Sequence, residues 1–146
     1  MDGGGDVAIT KEALYQKSPQ EITMLLYEAC YDNLEKAIEY IDEKNYIDAN
    51  IHLQKASDIV HRLGVGLNYE AGIIADEVEQ LYNYMADRII EANYKKDKTL
   101  IQDALNVLTP IMTAWNEAMK KNTDAQPKTL KQKANMYEKL SVYETE

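Results

Sequence analysis

Phenylalanine is absent from this chain, so aromatic packing falls to 11 tyrosines and a single tryptophan. Cysteine occurs once, as Cys30, and no intrachain disulfide can form. Beside Ala29 on the apolar side of a helical pattern, this thiol reads as a small core residue. Proline occurs three times and glycine six times, with three of the glycines together at Gly3 to Gly5. So few chain breakers leave room for long helices. Basic residues are outnumbered, 16 against 25 acidic, for a net charge of −9. That balance argues against nucleic acid and anionic lipid surfaces as partners. No apolar run approaches the roughly 20 residues of a membrane span. The Gly- and Asp-rich start also has no apolar core of the kind a secretory signal needs. These absences set the expectation of a soluble, cytoplasmic protein with no membrane insertion.

What is present is helical periodicity. With 146 residues, 45% apolar and 28% charged, the composition is that of one globular domain with a real core. Residues 1–17 read as a flexible leader, with Ile9, Ala13 and Leu14 able to support a short helical cap. "SPQE" then marks a helix start: Ser18 as N-cap, Pro19 in the first position and Glu21 completing a capping box. From there to about residue 43, one stripe runs through Ile22, Leu26, Ala29, Asn33, Ala37 and Tyr40. A second runs through Tyr27, Tyr31, Leu34, Ile38 and Ile41. Together they cover an arc of roughly 200°. A second long helix, 47–67, is carried by Ala49, Leu53, Ala56, Val60, Leu63 and Leu67 at bundle spacing. A third spans 73–95, where Leu81, Met85, Ile89 and Ala92 form the expected core line and Tyr82, Ala86 and Ile90 widen the apolar surface. A fourth follows "KKD", through Leu100, Ala104, Leu108, Ile111, Trp115 and Met119, with a kink expected at Pro110. Residues 122–146 read as a linker and a short amphipathic helix bearing Leu130, Ala134, Tyr137 and Leu140. No strand period occurs. The expected fold is therefore all-α: an antiparallel four-helix bundle over 18–121, with a short N-terminal helical cap and a C-terminal extension.

Catalytic patterns are scarce. The acidic strip Glu28, Asp32, Glu35, Glu39 and Asp42 lies opposite the apolar arc and reads as a solvated face. Di-metal bundles need inward carboxylates and paired Glu-x-x-His motifs, whereas this chain offers one Asp58-x-x-His61. "HLQKAS" resembles the motif of histidine-containing phosphotransfer bundles, with His52 as acceptor and Lys55 one turn on. Ala56 stands where those proteins carry glycine, and His52 opens its helix rather than sitting in its middle. A phosphotransfer bundle using His52 is thus an alternative, and a boundary histidine is the simpler reading. There is no phosphate loop, no metal spacing and no nucleophile elbow. No catalytic residue, metal site or cofactor is assigned.

The helices carry more apolar surface than a self-contained bundle of this size hides. An exposed apolar patch of several hundred square ångströms marks an interaction site. The surplus implies cover by the leader or tail, self-association as a weak homodimer in place of a monomer, or a partner's amphipathic helix.

Four segments occur in an order that resembles the flagellar secretion chaperone FliS family: "SPQEITMLLYEA", "LQKASDIVHRLGVGLN", "LYNYMADRIIEANYKKD" and "AWNEA". The resemblance implies a non-enzymatic, cytoplasmic helical bundle. It would bind the disordered C-terminal region of flagellin, prevent premature polymerisation and deliver the subunit to the flagellar type III export apparatus, with the export gate as a further partner. On this reading Ile22, Leu25, Leu26, Tyr27, Tyr31, Ile59, Leu63 and Tyr82 are candidate partner-binding residues, with plain bundle core as the alternative for each. The resemblance also implies an N-terminal cap, "EALYQK", touching the groove through Leu14 and Tyr15; Tyr137, Leu140 and Tyr143 of the tail are a second candidate cover. A divergent relative that binds a different flagellar protein fits the same pattern.

Overall fold

A computed structural model describes residues 17–67 and 73–121 of the chain. The expected cap residues Leu14 and Tyr15 and the whole C-terminal extension lie outside the described residues. Within them are four helices: α1 (Pro19–Asp42), α2 (Tyr46–Leu67), α3 (Ile73–Lys95) and α4 (Lys98–Lys121). Each packs against its neighbour in sequence, and α4 returns to α1, which closes an antiparallel all-α bundle.

The helix ends explain why these boundaries fall where they do. The Ser18 hydroxyl accepts from the Glu21 amide at 3.1 Å, and the Glu21 carboxylate accepts from the Ser18 amide at 2.9 Å, so the capping box is complete. α1 and α3 end with the same device. A lysine takes the left-handed conformation, Lys44 at φ 61° and Lys96 at φ 54°. The following amide reaches back to the last turn, Asn45 to the Tyr40 carbonyl at 2.8 Å and Asp97 to the Ala92 carbonyl at 3.2 Å. Asn45 and Asp97 then cap the next helix, accepting from the amides of Asp48 at 3.2 Å and Thr99 at 2.9 Å. The Thr99 hydroxyl also donates to Asp97, and these bonds hold the Asp97 carboxyl below the usual carboxylate range. Asn45 places the start of α2 one residue before the expected position.

The core follows the sequence stripes with one exchange. Leu34, Leu53, Met85, Ile89, Ile101, Leu108 and Cys30 are fully enclosed. On α3 the buried line is Tyr82, Met85, Ile89 and Ala92, whereas Leu81 is 40% exposed. Leu81 and Tyr82 flank the core direction almost symmetrically, about 40–60° to either side at 100° per residue. Tyr82 takes the inside because its hydroxyl meets that of Tyr27 on α1 at 2.6 Å. Trp115 closes the same region, edge-on to Tyr27 at 6.0 Å, and its indole donates to the Gln20 carbonyl at 3.0 Å. This contact ties the end of α4 to the start of α1. α4 runs without interruption through Pro110. Pro110 and Asn106, whose carbonyl loses its helical donor there, both lie on the exposed face, where water can serve that oxygen.

Candidate functional site

The surplus apolar surface gathers where the C-terminal half of α3 lies beside the N-terminal half of α2. Ile47 is 77% exposed, Ile90 60% and Tyr94 88%, and Ile51 and Tyr46 are also exposed. An open groove of about 480 Å³ runs between the two helices. Its apolar lining is Leu53, Ile89, Ile90 and Tyr94, and its polar lining Asn50, Gln54, Ser57, Asn93 and Lys96. The helical period accounts for this division. Ala49, Leu53, Ala56 and Val60 point α2 at the core, which leaves Ile47 and Ile51, one turn apart, on its outer flank.

The polar lining is a connected set. The Lys96 ammonium donates to the Asn93 side-chain oxygen at 2.8 Å and to the Asn93 carbonyl. The Asn93 amide donates to the Asn50 side-chain oxygen at 2.7 Å and so joins α3 to α2.

Of the sequence-predicted partner-binding residues, Ile22, Leu26, Tyr27, Ile59, Leu63 and Tyr82 are 3 to 9% exposed and lie in the bundle core. Their surroundings are those of packing residues. Leu25 and Tyr31 are half-buried and keep part of their surface in solvent. The Tyr31 phenol sits beside Glu35, whose charge and hydrogen bond push its pKa above the ordinary tyrosine value. None of these eight lines the α2–α3 groove. The groove and its flank instead bring together Ile47, Ile51, Tyr94, Asn50, Asn93 and Lys96, which the sequence reading did not name as partner-binding. The signal available was that Ile47 and Ile51 stand off the Ala49–Leu53–Ala56 stripe.

The chemistry elsewhere is structural. His52 is half-buried, stacked on Tyr40 at 5.4 Å, with its Nδ1 2.8 Å from the Asn33 side-chain oxygen. Asn33 donates its amide to the Ala29 carbonyl, which fixes that oxygen toward the imidazole and makes Nδ1 the protonated nitrogen. The Cys30 thiol is pushed up to about 12 by burial and is a poor nucleophile at neutral pH. Among the described residues no group of His, Cys, Asp and Glu could hold a metal ion, and no helix is long and apolar enough to cross a membrane.

Among the described residues, then, the bundle presents an open, partly apolar groove between α2 and α3, and comparison with known proteins places the chain in a family. The flagellar secretion chaperone FliS of Bacillus subtilis (strain 168) is 27% identical over 112 residues, covering 77% of this chain and 84% of that protein. The chaperone of the same name from Vibrio cholerae is 30% identical over 101 residues, covering 68% of this chain and 74% of the relative. That of Salmonella typhimurium is 28% identical over 109 residues, covering 73% and 81%. The family model described as "Flagellar protein FliS" matches residues 7–122, from before α1 to just past the end of α4. The chain therefore belongs to the FliS family of flagellar proteins.

Proposed function

We propose that this protein is a cytoplasmic export chaperone that binds the disordered C-terminal region of flagellin, keeps it from polymerising and presents it to the flagellar export apparatus. The observation that carries this reading is the apolar band Ile47, Ile51, Ile90 and Tyr94, exposed beside an open groove among the described residues, on a chain whose relatives are named flagellar secretion chaperones. A folded monomer gains nothing from four such side chains in water. Covering them with a partner segment recovers roughly 25 cal/mol for each square ångström of apolar area, enough over a few hundred square ångströms to order a segment disordered when free. Leu25 and Tyr31 are further contacts on this reading, because they retain accessible surface. The six enclosed candidates act by fixing the spacing of the helices.

The test is to mix the purified chain with monomeric flagellin and size the product. The reading predicts an equimolar complex that disappears when the C-terminal region of flagellin is removed. A complex with another flagellar protein, and none with flagellin, would keep the chaperone and change the cargo. Failure to bind any flagellar export substrate would sink the proposal.

A further inference from the structure

α3 has a second apolar flank, on the side away from the groove. Asn93 turns the groove side of α3 to α2, whereas Arg88 turns the other side to α4. Leu81 and Tyr84, 40% and 43% exposed, lie on the Arg88 side. The Arg88 guanidinium is 5.5 Å from the centre of the Tyr84 ring and is itself held by Glu91 at 3.2 Å and by Asp103 of α4 at 3.9 Å. Those contacts fix the ring beside the α3–α4 seam. On α4, Val107, Ile111, Ala114 and Ala118 follow Asp103 at helical spacing and carry the seam to the last turn. Val107 and Ile111 are half-buried and both alanines are exposed, so the strip is apolar and open.

The chain's own tail fits this seam in position, length and charge. Residues 123–146 lie beyond the 7–122 that the family model matches, and they depart from the end of α4, where the seam ends. The stretch 122–129 reaches up to about 26 Å when extended. As a helix, 130–143 is about 21 Å long, and the seam from Val107 to Ala118 is roughly 16 Å. Leu130, Ala134, Tyr137 and Leu140 share one side of that segment at helical spacing. Between 128 and 140 the tail carries Lys128, Lys131, Lys133 and Lys139 against Glu138 alone, in a chain of net charge −9. The seam is bordered on α3 by Asp76, Glu77 and Asp87, all exposed and none paired with a base among the described residues. Against these stand Arg88, already held by two carboxylates, and Lys120 and Lys121, with Glu117 one turn earlier. The leader suits the seam less well. Its Asp2, Asp6 and Glu12 outnumber Lys11, and it enters at α1, which packs on α2 and α4 and lies diagonally across from α3.

We propose that residues 130–143 fold back as a helix on the α3–α4 seam, with the Leu130, Tyr137 and Leu140 side over Leu81 and Tyr84 and the lysines toward Asp76, Glu77 and Asp87. The chain then covers one of its two apolar flanks itself and leaves the α2–α3 groove open. The proposal concerns the free chain and does not depend on what the groove binds.

The test uses the full chain without flagellin. A spin label at Gln80→Cys, one turn from Tyr84, should broaden the amide signals of residues 130–143, and a label at Gln54→Cys in the α2–α3 groove should leave them sharp. Cys30 is buried and does not compete for the reagent. Trypsin reads the same contact at Lys131, Lys133 and Lys139, because cleavage follows the undocked fraction. Leu81→Asp and Tyr84→Ser should each be cut there about tenfold faster than wild type. Ile90→Asp, exposed on the groove instead, should be cut at the wild-type rate. Broadening by the label at 54 alone would place the tail in the groove and overturn the proposal. Broadening of residues 7–16 by the label at 80 would give the seam to the leader, and broadening passed between labelled and unlabelled copies would give it to a dimer; either overturns it. So does the absence of broadening from both labels, or equal cutting of wild type, Leu81→Asp and Tyr84→Ser.

Discussion

Two buried phenols hold the middle of the bundle together. Tyr27 and Tyr82 are each less than 5% exposed, and their hydroxyls lie 2.6 Å apart. Removing one hydroxyl takes a hydrogen-bond partner from the other inside the core, whereas removing both removes the demand as well. Tyr27→Phe and Tyr82→Phe should each lose about 1 kcal/mol in urea unfolding, and the double variant should lose clearly less than the sum. Additive losses would mean that the two hydroxyls do not depend on each other. Cys30 gives a second residue-scale expectation. Its thiol is raised from 9.0 to about 12, so the unfolded chain ionises first. The stability that Cys30 contributes is therefore fully present below about pH 9 and is lost as pH rises from there toward 12. Thiolate absorbance should appear near its ordinary pH in denaturant and much later in the folded chain; a folded thiol that titrates near 9 would contradict the burial. At this scale the sequence was only half legible. Leu81 and Tyr82 are nearly equivalent on a helical wheel, and the hydroxyl contact that favours Tyr82 inside comes from Tyr27, 55 positions away.

The helices themselves were readable because their signals are local. "SPQE" contains the whole capping box, and the heptad-like spacing of α2 and α4 needs no knowledge of the partner helices. The turns were less readable. Asn45 and Asp97 act as caps only after a lysine has entered the left-handed region, an arrangement usually signalled by glycine. Pro110 is the element-scale exception, since a proline in mid-helix removes a donor from a hydrogen-bonded ladder. Its side chain is exposed, so Pro110→Ala restores the bond to Asn106 without leaving a cavity. The variant should be more stable by about 1–3 kcal/mol in chemical denaturation. No gain, or a loss, would show that the missing bond at Asn106 costs α4 nothing in the folded bundle.

At the scale of the whole molecule, the described helices enclose Tyr27, Tyr82 and the core leucines and leave the band Ile47, Ile51, Ile90 and Tyr94 exposed, with Tyr46, Leu81 and Tyr84 besides. The excess of apolar helix was visible in the sequence, and its location in part. Counting stripes pointed to α1 and α3: on α3 Ile90 is exposed, whereas on α1 Ile22, Leu26, Tyr27, Leu34, Ala37 and Ile41 are buried and Ala29, Tyr31, Ile38 and Tyr40 half-buried. Ile47 and Ile51 looked like ordinary members of a helix until the core was seen to run through Ala49, Leu53 and Ala56. Which face stays open depends on helix rotation within the bundle, a property of all four helices at once.

That open band is the centre of the functional account. The most direct measurement is the affinity of monomeric flagellin for the Ile51→Asp/Ile90→Asp variant, set beside the thermal unfolding of the same protein without flagellin. Both side chains are exposed in the free chain, so the account predicts an unchanged Tm and a loss of affinity of at least a hundredfold, on the order of 3 kcal/mol. Wild-type affinity in that variant would contradict the account.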